Sequence, residues 1–490
     1  MLDMQLGISG GVKMRVMRQS ILSSLAVLSF LTITFPLRSM EAVAAQTAYG
    51  LATPSHVETP GLSPALSAKP PYECVVNRYV DATHGNDANP GTAELPWATI
   101  QNADNGWPNT PVAGECINVA PGTYKFSKSM IVAHGGNSNT PTGYVVYRSI
   151  VPQAARIVAA DGIMDTANGD MIMLWAPYVI FDGFEIDGAG LTSGHGIDGC
   201  ANGGQPFNIA HHFMALNNVI HDVGGSGLST CTADFVAWIH NVVYNTSGTN
   251  QWQTSGINVW QPKALAAETY QPTAADVVTF GITIAYNISH NNGEGPAIPA
   301  PHTDGNGIII DTTLGSFECP TCGTPYPGKI LVLGNLSHSN GGSGIHVFLS
   351  KNVFVYNNTV YNNYRDPLNP GTARGDLSNG GSENVVWYNN LAISVREAGP
   401  LGTNRPIMSY PVNGKFEDSG IWKNNLAFGA SVVSTPASHV DPGINLIGVD
   451  PELGNPAGGN FVPSATSPVI GVGRRTPFSP AGKLVNIGAY

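Results

Sequence analysis

Charge is scarce in this chain. Asp, Glu, Lys and Arg make up only 11 % of its 490 residues, and the basic ones are outnumbered, 22 to 33. A formal net charge of −11 leaves no basic field for a phosphate backbone, so nucleic acid is excluded as a partner. Amphipathic helices are missing too. Between Ile172 and Phe428 no apolar stripe recurs at the 3.6-residue period, which excludes a helical bundle or helical repeat. Long apolar runs are confined to Ile21–Pro36, so no later segment is expected to span a membrane. Cysteines number six, an even count that permits disulfides in an oxidising compartment.

What the chain has in quantity is glycine, 58 residues, and proline, 36. Low charge with many turn residues suits a β solenoid. The stretch Asn335–Asn363 reads NLSHSNGGSGIHVFLSKNVFVYNNTVYNN. Asn335 and Asn358 open the same phrase 23 residues apart, and short period-two alternations (Gly344–Phe348, Val353–Val355) lie between them. Asn218 and Asn241 show the same spacing, Asn241 and Asn287 twice it, and Asn390 and Asn425 continue it with insertions. A propeller blade needs about 40 residues and four strands; three short strands in this period predict one coil of a parallel β-helix. An Asn at one corner of each coil can bond the next along the stack. The sequons at Asn245, Asn287 and Asn335 are therefore read mainly as corner residues rather than glycosylation sites.

Residues 1–45 carry Lys13, Arg15 and Arg18, an apolar run, and Ala42-Val43-Ala44-Ala45, the pattern of a secretory signal with its cleavage site. The segment holds four basic and two acidic residues, so its removal takes the net charge from −11 to about −13. A secreted or periplasmic protein, monomeric, is expected. Residues 46–73 are rich in Pro, Ala, Ser and Thr and read as a flexible linker; residues 74–490 form one domain.

Arg78–Trp107 contains Tyr79-Val80-Asp81, Gly85-Asn86-Asp87, Asn89-Pro90-Gly91-Thr92, Pro96-Trp97 and Thr99-Ile100-Gln101. This resembles the opening segment of secreted proteins of the pectate-lyase-like superfamily. Asp450-Pro451-Glu452-Leu453, Ser467-Pro468-Val469-Ile470 and Asn486-Ile487-Gly488-Ala489-Tyr490 resemble their closing phrases. The resemblance covers most of residues 75–490. It implies an all-β, right-handed parallel β-helix with a short N-terminal cap helix. It does not choose the chemistry, because the fold hosts lyases, hydrolases, epimerases and adhesins.

One strand per coil aligns by its leading glycine: Gly196–Cys200, Gly227–Cys231, Gly256–Trp260, Gly307–Asp311 and Gly344–Phe348. Second and fourth residues should face the core, third and fifth outward. Cys200 and Cys231 then fall side by side, within bridging distance. Cys74 and Cys116 are expected to staple the cap, and Cys319 and Cys322 to close a loop; zinc would need two further ligands at similar spacing, and none stands there. The outward face shows Asp198, Asn258, Trp260, Asp311, His346 and Phe348. His302, Asp304 and Asn306 precede one strand; Lys263 and Lys351 each follow a leading glycine by seven residues.

Asp304, Asn306 and Asp311 offer hard oxygens, which suit Ca²⁺; alternatively Asp304 and Asn306 cap a glycine turn. The resemblance implies a β-eliminating lyase on an acidic polysaccharide, with a neutral Lys (Lys351 or Lys263) as base and a cation on the uronate carboxylate. His346 and His302 are further acid–base candidates, and Trp260, Phe348, Asn258 and Asp198 candidate substrate contacts. The sequence departs from family-nine pectate lyases, which carry paired Asp residues where this chain has Thr303-Asp304-Gly305-Asn306. It departs from mannuronan epimerases, whose Asp-Pro-His is here Ala300-Pro301-His302. Asp198 and Asp311 lie too far apart to be the acid pair of a hydrolase. An epimerase, a hydrolase and a carbohydrate-binding or surface solenoid remain as alternatives.

Overall fold

The computed structural model describes residues 70–490, apart from 161–168, 190, 201–209, 266–279, 296–303, 316–323, 367–374, 396–404, 413–419 and 430–439. The expected signal segment, most of the expected linker, His302, Cys319 and Cys322 lie outside the described residues. No helix among the described residues is long and apolar enough to cross a membrane.

Successive short strands stack in parallel into three long sheets of 11, 9 and 11 strands, and each turn of the chain adds one strand to each sheet. This is the all-β parallel β-helix expected from the sequence. The cap helix is a five-residue 3₁₀ helix, Ile100–Asp104, which buries Ile100 and Ala103. The Asp87 carboxylate holds the chain ahead of it by accepting the Ala98 and Thr99 N–H groups, each at 2.9 Å. Trp97 packs on Gly91, whose φ of 76° and missing Cβ make room for the indole. Cys74, just ahead of the first strand, is bridged to Cys116 in the second, with Cα atoms 5.4 Å apart.

The core is stacked aliphatics. Ile257, Ile308, Ile345, Leu377 and Ile407 lie in one register on the 9-stranded sheet, all fully buried. Each such side chain contributes roughly 1.5–3 kcal/mol by leaving water. The corner asparagines form the expected ladder. From Asn218 through Asn241, Asn287, Asn335, Asn358, Asn390 and Asn425 to Asn445, each Nδ2 donates to the next Oδ1 at 2.9–3.1 Å. Asn287 and Asn335 are fully buried in it. The Asn-Asn doublets divide two tasks: Asn357, Asn389 and Asn424 take left-handed φ values of 54–58° that turn the corner, and the following Asn joins the ladder. The closing segment lies back across these corners, where Asn357 Nδ2 donates to Asn486 O (2.9 Å) and Gly488 N–H to Asn389 O (2.7 Å).

Candidate functional site on the 9-stranded sheet

The glycine-led alignment is the pairing register of this sheet. Asp198 pairs with Ser229, Ser229 with Asn258, Asn258 with Ile309 and Ile309 with His346. The fifth positions run Cys200, Cys231, Trp260, Asp311, Phe348, and the register continues through Gly380 to Tyr410. Cys200 and Cys231 form a disulfide with Cα atoms 4.5 Å apart. Two parallel rows of outward side chains thus share one face, about 4.8 Å per step.

Much of this face is covered. His346 is 3 % exposed and Asp198 6 %, whereas the Trp260 indole is open at 42 %. Asn258, Asp311 and Phe348 are half-buried. His346 Nε2 meets the Tyr410 hydroxyl at 3.1 Å and its ring lies 5.5 Å from Phe348. Tyr410 escapes the glycine alignment because Asp376 and Pro406 stand where the earlier strands have glycine; the alternation Ile407-Met408-Ser409-Tyr410 is its only signal.

Burial pushes the Asp311 carboxyl up to about 7. Thr312 Oγ1, which donates to Asp311 Oδ1 at 2.6 Å, opposes the rise, and the charge of Asp304 adds to it. Asp304 turns the chain with φ 65° and accepts from Asn306 Nδ2 at 3.1 Å. Asn306 is fully buried. Its amide also donates to Ser255 Oγ (3.0 Å), and its Oδ1 accepts the Ser343 N–H (2.8 Å). The residue belongs to a ladder at the turn into this sheet. Along Asp170, His195, Ser226, Ser255, Asn306 and Ser343, each side chain accepts the N–H of the next residue in the series. The demand is general, since a buried turn N–H needs an acceptor. The two lysines occupy the coils on either side of Asp311. Lys263 is exposed just beyond Trp260; Lys351 is half-buried, donates its N–H to Thr313 Oγ1 at 2.7 Å and bridges to Glu383.

Asp170 and His195 are residues that strand alternation does not reveal, because they sit in the turn ahead of the strands. Burial pushes the Asp198 carboxyl up to about 7; His195 and hydrogen bonds from Ser229 and the Cys200 N–H oppose the rise, and Asp170 adds to it. Asp198 therefore favours folding fully below its unfolded value of 3.8, and this contribution is lost as pH rises through about 7. Asp198→Asn is expected to be more stable than wild type at pH 8, on the order of 3 kcal/mol, with the gap closing toward pH 4. Thermal melts at the two pH values check this; equal gaps at both would refute it.

Among the described residues, three acid or imidazole ligand atoms converge at Asp187, His221 and Asp222, on another sheet. Arg156 forms ion pairs with Asp187 and with Glu185, and His221 Nδ1 lies 2.6 Å from Asp222 Oδ2, so that cluster is knit as an ion-pair network.

No protein-family model matches this chain, and no curated protein sequence matches it. Solved structures do. Pectate lyase Pel9A is 17 % identical, with a TM-score of 0.44 over 86 % of this chain and 97 % of that one. A rhamnogalacturonan lyase is 13 % identical, with a TM-score of 0.41 over 71 % and 87 %. The A-module of an Azotobacter vinelandii mannuronan C-5 epimerase is 13 % identical, with a TM-score of 0.35 over 65 % and 79 %. Likeness of this size says nothing about the reaction.

Proposed function

We propose that this pectate-lyase-like β-helix is an exported carbohydrate-active enzyme. It lays an acidic polysaccharide along the outward face of the 9-stranded sheet and cleaves it by β-elimination. One observation carries the reading. In consecutive coils the fifth strand positions bring together an open indole (Trp260), a carboxyl raised to about 7 (Asp311) and a half-buried ring (Phe348), with the His346–Tyr410 pair beside them.

Aromatic faces suit sugar rings, which present C–H surfaces between their hydroxyls. In β-elimination the proton on the carbon beside the uronate carboxylate leaves, the bond to the leaving oxygen breaks, and a double bond forms. Lys351, with Lys263 as the other choice, is the base, and must be neutral to act. Tyr410, its hydroxyl held by His346, donates a proton to the leaving oxygen.

Hard carboxylate oxygens on Asp304 and Asp311 fit calcium, and burial together with the charge of Asp304 disfavours an uncompensated Asp311 carboxylate. Asn306, spent on the turn ladder, positions Asp304 rather than serving as a ligand. Bound there, calcium would neutralise the substrate carboxylate and so acidify the neighbouring proton.

The test is ultraviolet absorbance of unsaturated product on a panel of acidic polymers, with calcium and with chelator. Growth on one polymer that needs calcium and is lost in Lys351→Ala is expected. Trp260→Ala should raise KM about tenfold with less effect on kcat, the loss of one stacking contact. Flat traces on every polymer with folded protein would move the weight to a binding solenoid, whereas reducing ends without absorbance would mean a hydrolase.

A further inference from the structure

One strand of this face carries only small outward side chains. In Leu377–Gly380 the outward residues are Ser378, between His346 and Met408 in one row, and Gly380, between Phe348 and Tyr410 in the other. Gly380 lies in the strand, and the left-handed glycine is its neighbour Gly381, at φ 53°. The backbone at Gly380 therefore has no need of glycine; the space above it does. A Cβ there would lie 2.6 Å from both Cζ and the hydroxyl oxygen of Tyr410, and 2.9 Å from Phe348 Cδ2. The Tyr410 ring thus lies back over the bare Cα. Its hydroxyl meets His346 Nε2 at 3.1 Å although the two residues stand two strands apart, roughly 10 Å at the usual spacing.

The strand beneath the ring is pinned. Gly380 O accepts the Leu349 N–H at 2.8 Å and the Ser382 hydroxyl at 3.0 Å, and the Gly381 N–H donates to Tyr410 O at 2.9 Å. A side chain added at Gly380 is therefore relieved by the half-buried Tyr410 ring, which has other staggered χ1 wells to turn into, rather than by the backbone. We propose that Gly380 is a positioning residue. Its missing side chain is the seat that holds the Tyr410 phenol against His346, and alanine in its place turns the phenol away from the imidazole. The inference rests on the reading of Tyr410 as the acid of the elimination and adds the residue that places it.

A 3-fluorotyrosine placed at position 410 reports the contact through its fluorine resonance, without any need for activity. His346→Gln is expected to shift that resonance in the wild-type background and to lose this effect in Gly380→Ala. On the polymer that wild type cleaves, Gly380→Ala should lower kcat about 10²-fold, as loss of a general acid does, with KM within about twofold. Added to Tyr410→Phe it should cost nothing more, because both changes remove the same group. Equal fluorine responses in the two backgrounds overturn the seat. So does a further loss of kcat when Gly380→Ala is added to Tyr410→Phe, since the glycine then acts apart from the phenol. Wild-type kcat in Gly380→Ala, with Tyr410→Phe impaired, overturns the positioning role and spares the acid. Full activity in Tyr410→Phe, or no cleavage by wild type, overturns the acid or the elimination, and the fluorine response then decides the seat by itself. If Gly380→Ala does not fold, Gly380→Ala with Tyr410→Ala decides: folding restored by removing the ring supports the seat, and a second failure overturns it.

Discussion

Asn287→Ala is expected to lower stability by about 3 to 6 kcal/mol, read as a shift in the midpoint of chemical denaturation. The Asn287 side chain makes four hydrogen bonds in a fully buried corner. Its Oδ1 accepts both the N–H and the Nδ2 of Asn241, at 2.9 and 3.0 Å; its Nδ2 donates to Trp238 O at 2.9 Å and to Asn335 Oδ1 at 3.0 Å. Alanine removes all four and leaves the Asn241 N–H without its acceptor. Each buried polar group deprived of a partner costs about 1–3 kcal/mol. Position in the stack adds to this. A solenoid is held by interfaces between adjacent coils, so a break in the middle uncouples the coils on either side. Asn245→Ala is the control. Asn245 is exposed, and its one side-chain bond, to Asp222 Oδ1, is long at 3.3 Å; the loss expected is about 1 kcal/mol, from the strain of alanine at its left-handed φ of 51°. If the two variants unfold at the same denaturant concentration, the ladder is not what holds the corners.

That ladder was legible from spacing alone, because the repeat period and an amide that can both donate and accept leave few other uses for a recurrent corner Asn. The strand register was legible for the same kind of reason. A leading glycine marks the turn, and alternation then decides which side chains face out, so the Cys200–Cys231 pairing followed. The limits are physical too. Alternation reports direction and not cover, so Asp198 and His346 point outward yet are 6 % and 3 % exposed. The glycine marker fails where another residue makes the same turn, as Asp376 and Pro406 do, and Tyr410 was lost with it. Asp170 and His195 act from the turn, where no period applies. Asn306 shows a fourth limit. A hard oxygen in an acidic motif looks like a ligand, but a buried backbone N–H competes for the same oxygen, and here Ser343 takes it.

Asp311→Asn is expected to lower kcat/KM by about 10²–10⁴ on the polymer that wild type cleaves, the range seen when a charged group acting on the reaction centre is removed. The substitution keeps the shape and the Thr312 bond but deletes the charge that would hold calcium with Asp304. The pH dependence separates this role from a structural one. An Asp carboxyl raised to about 7 must lose its proton before it can serve as a ligand, so at limiting calcium the activity should climb as pH rises through about 7. Saturating calcium favours the ionised form and should move that limb to lower pH. Thr312→Val supplies the opposite displacement. The Thr312 hydroxyl stabilises the ionised carboxyl from 2.6 Å, so its removal should carry the limb to higher pH while leaving activity on its plateau. In Asp311→Asn the limb should vanish along with its calcium sensitivity. A wild-type limb that ignores both calcium and Thr312→Val would separate Asp311 from the cation and leave Lys351 and the His346–Tyr410 pair to carry the elimination without it.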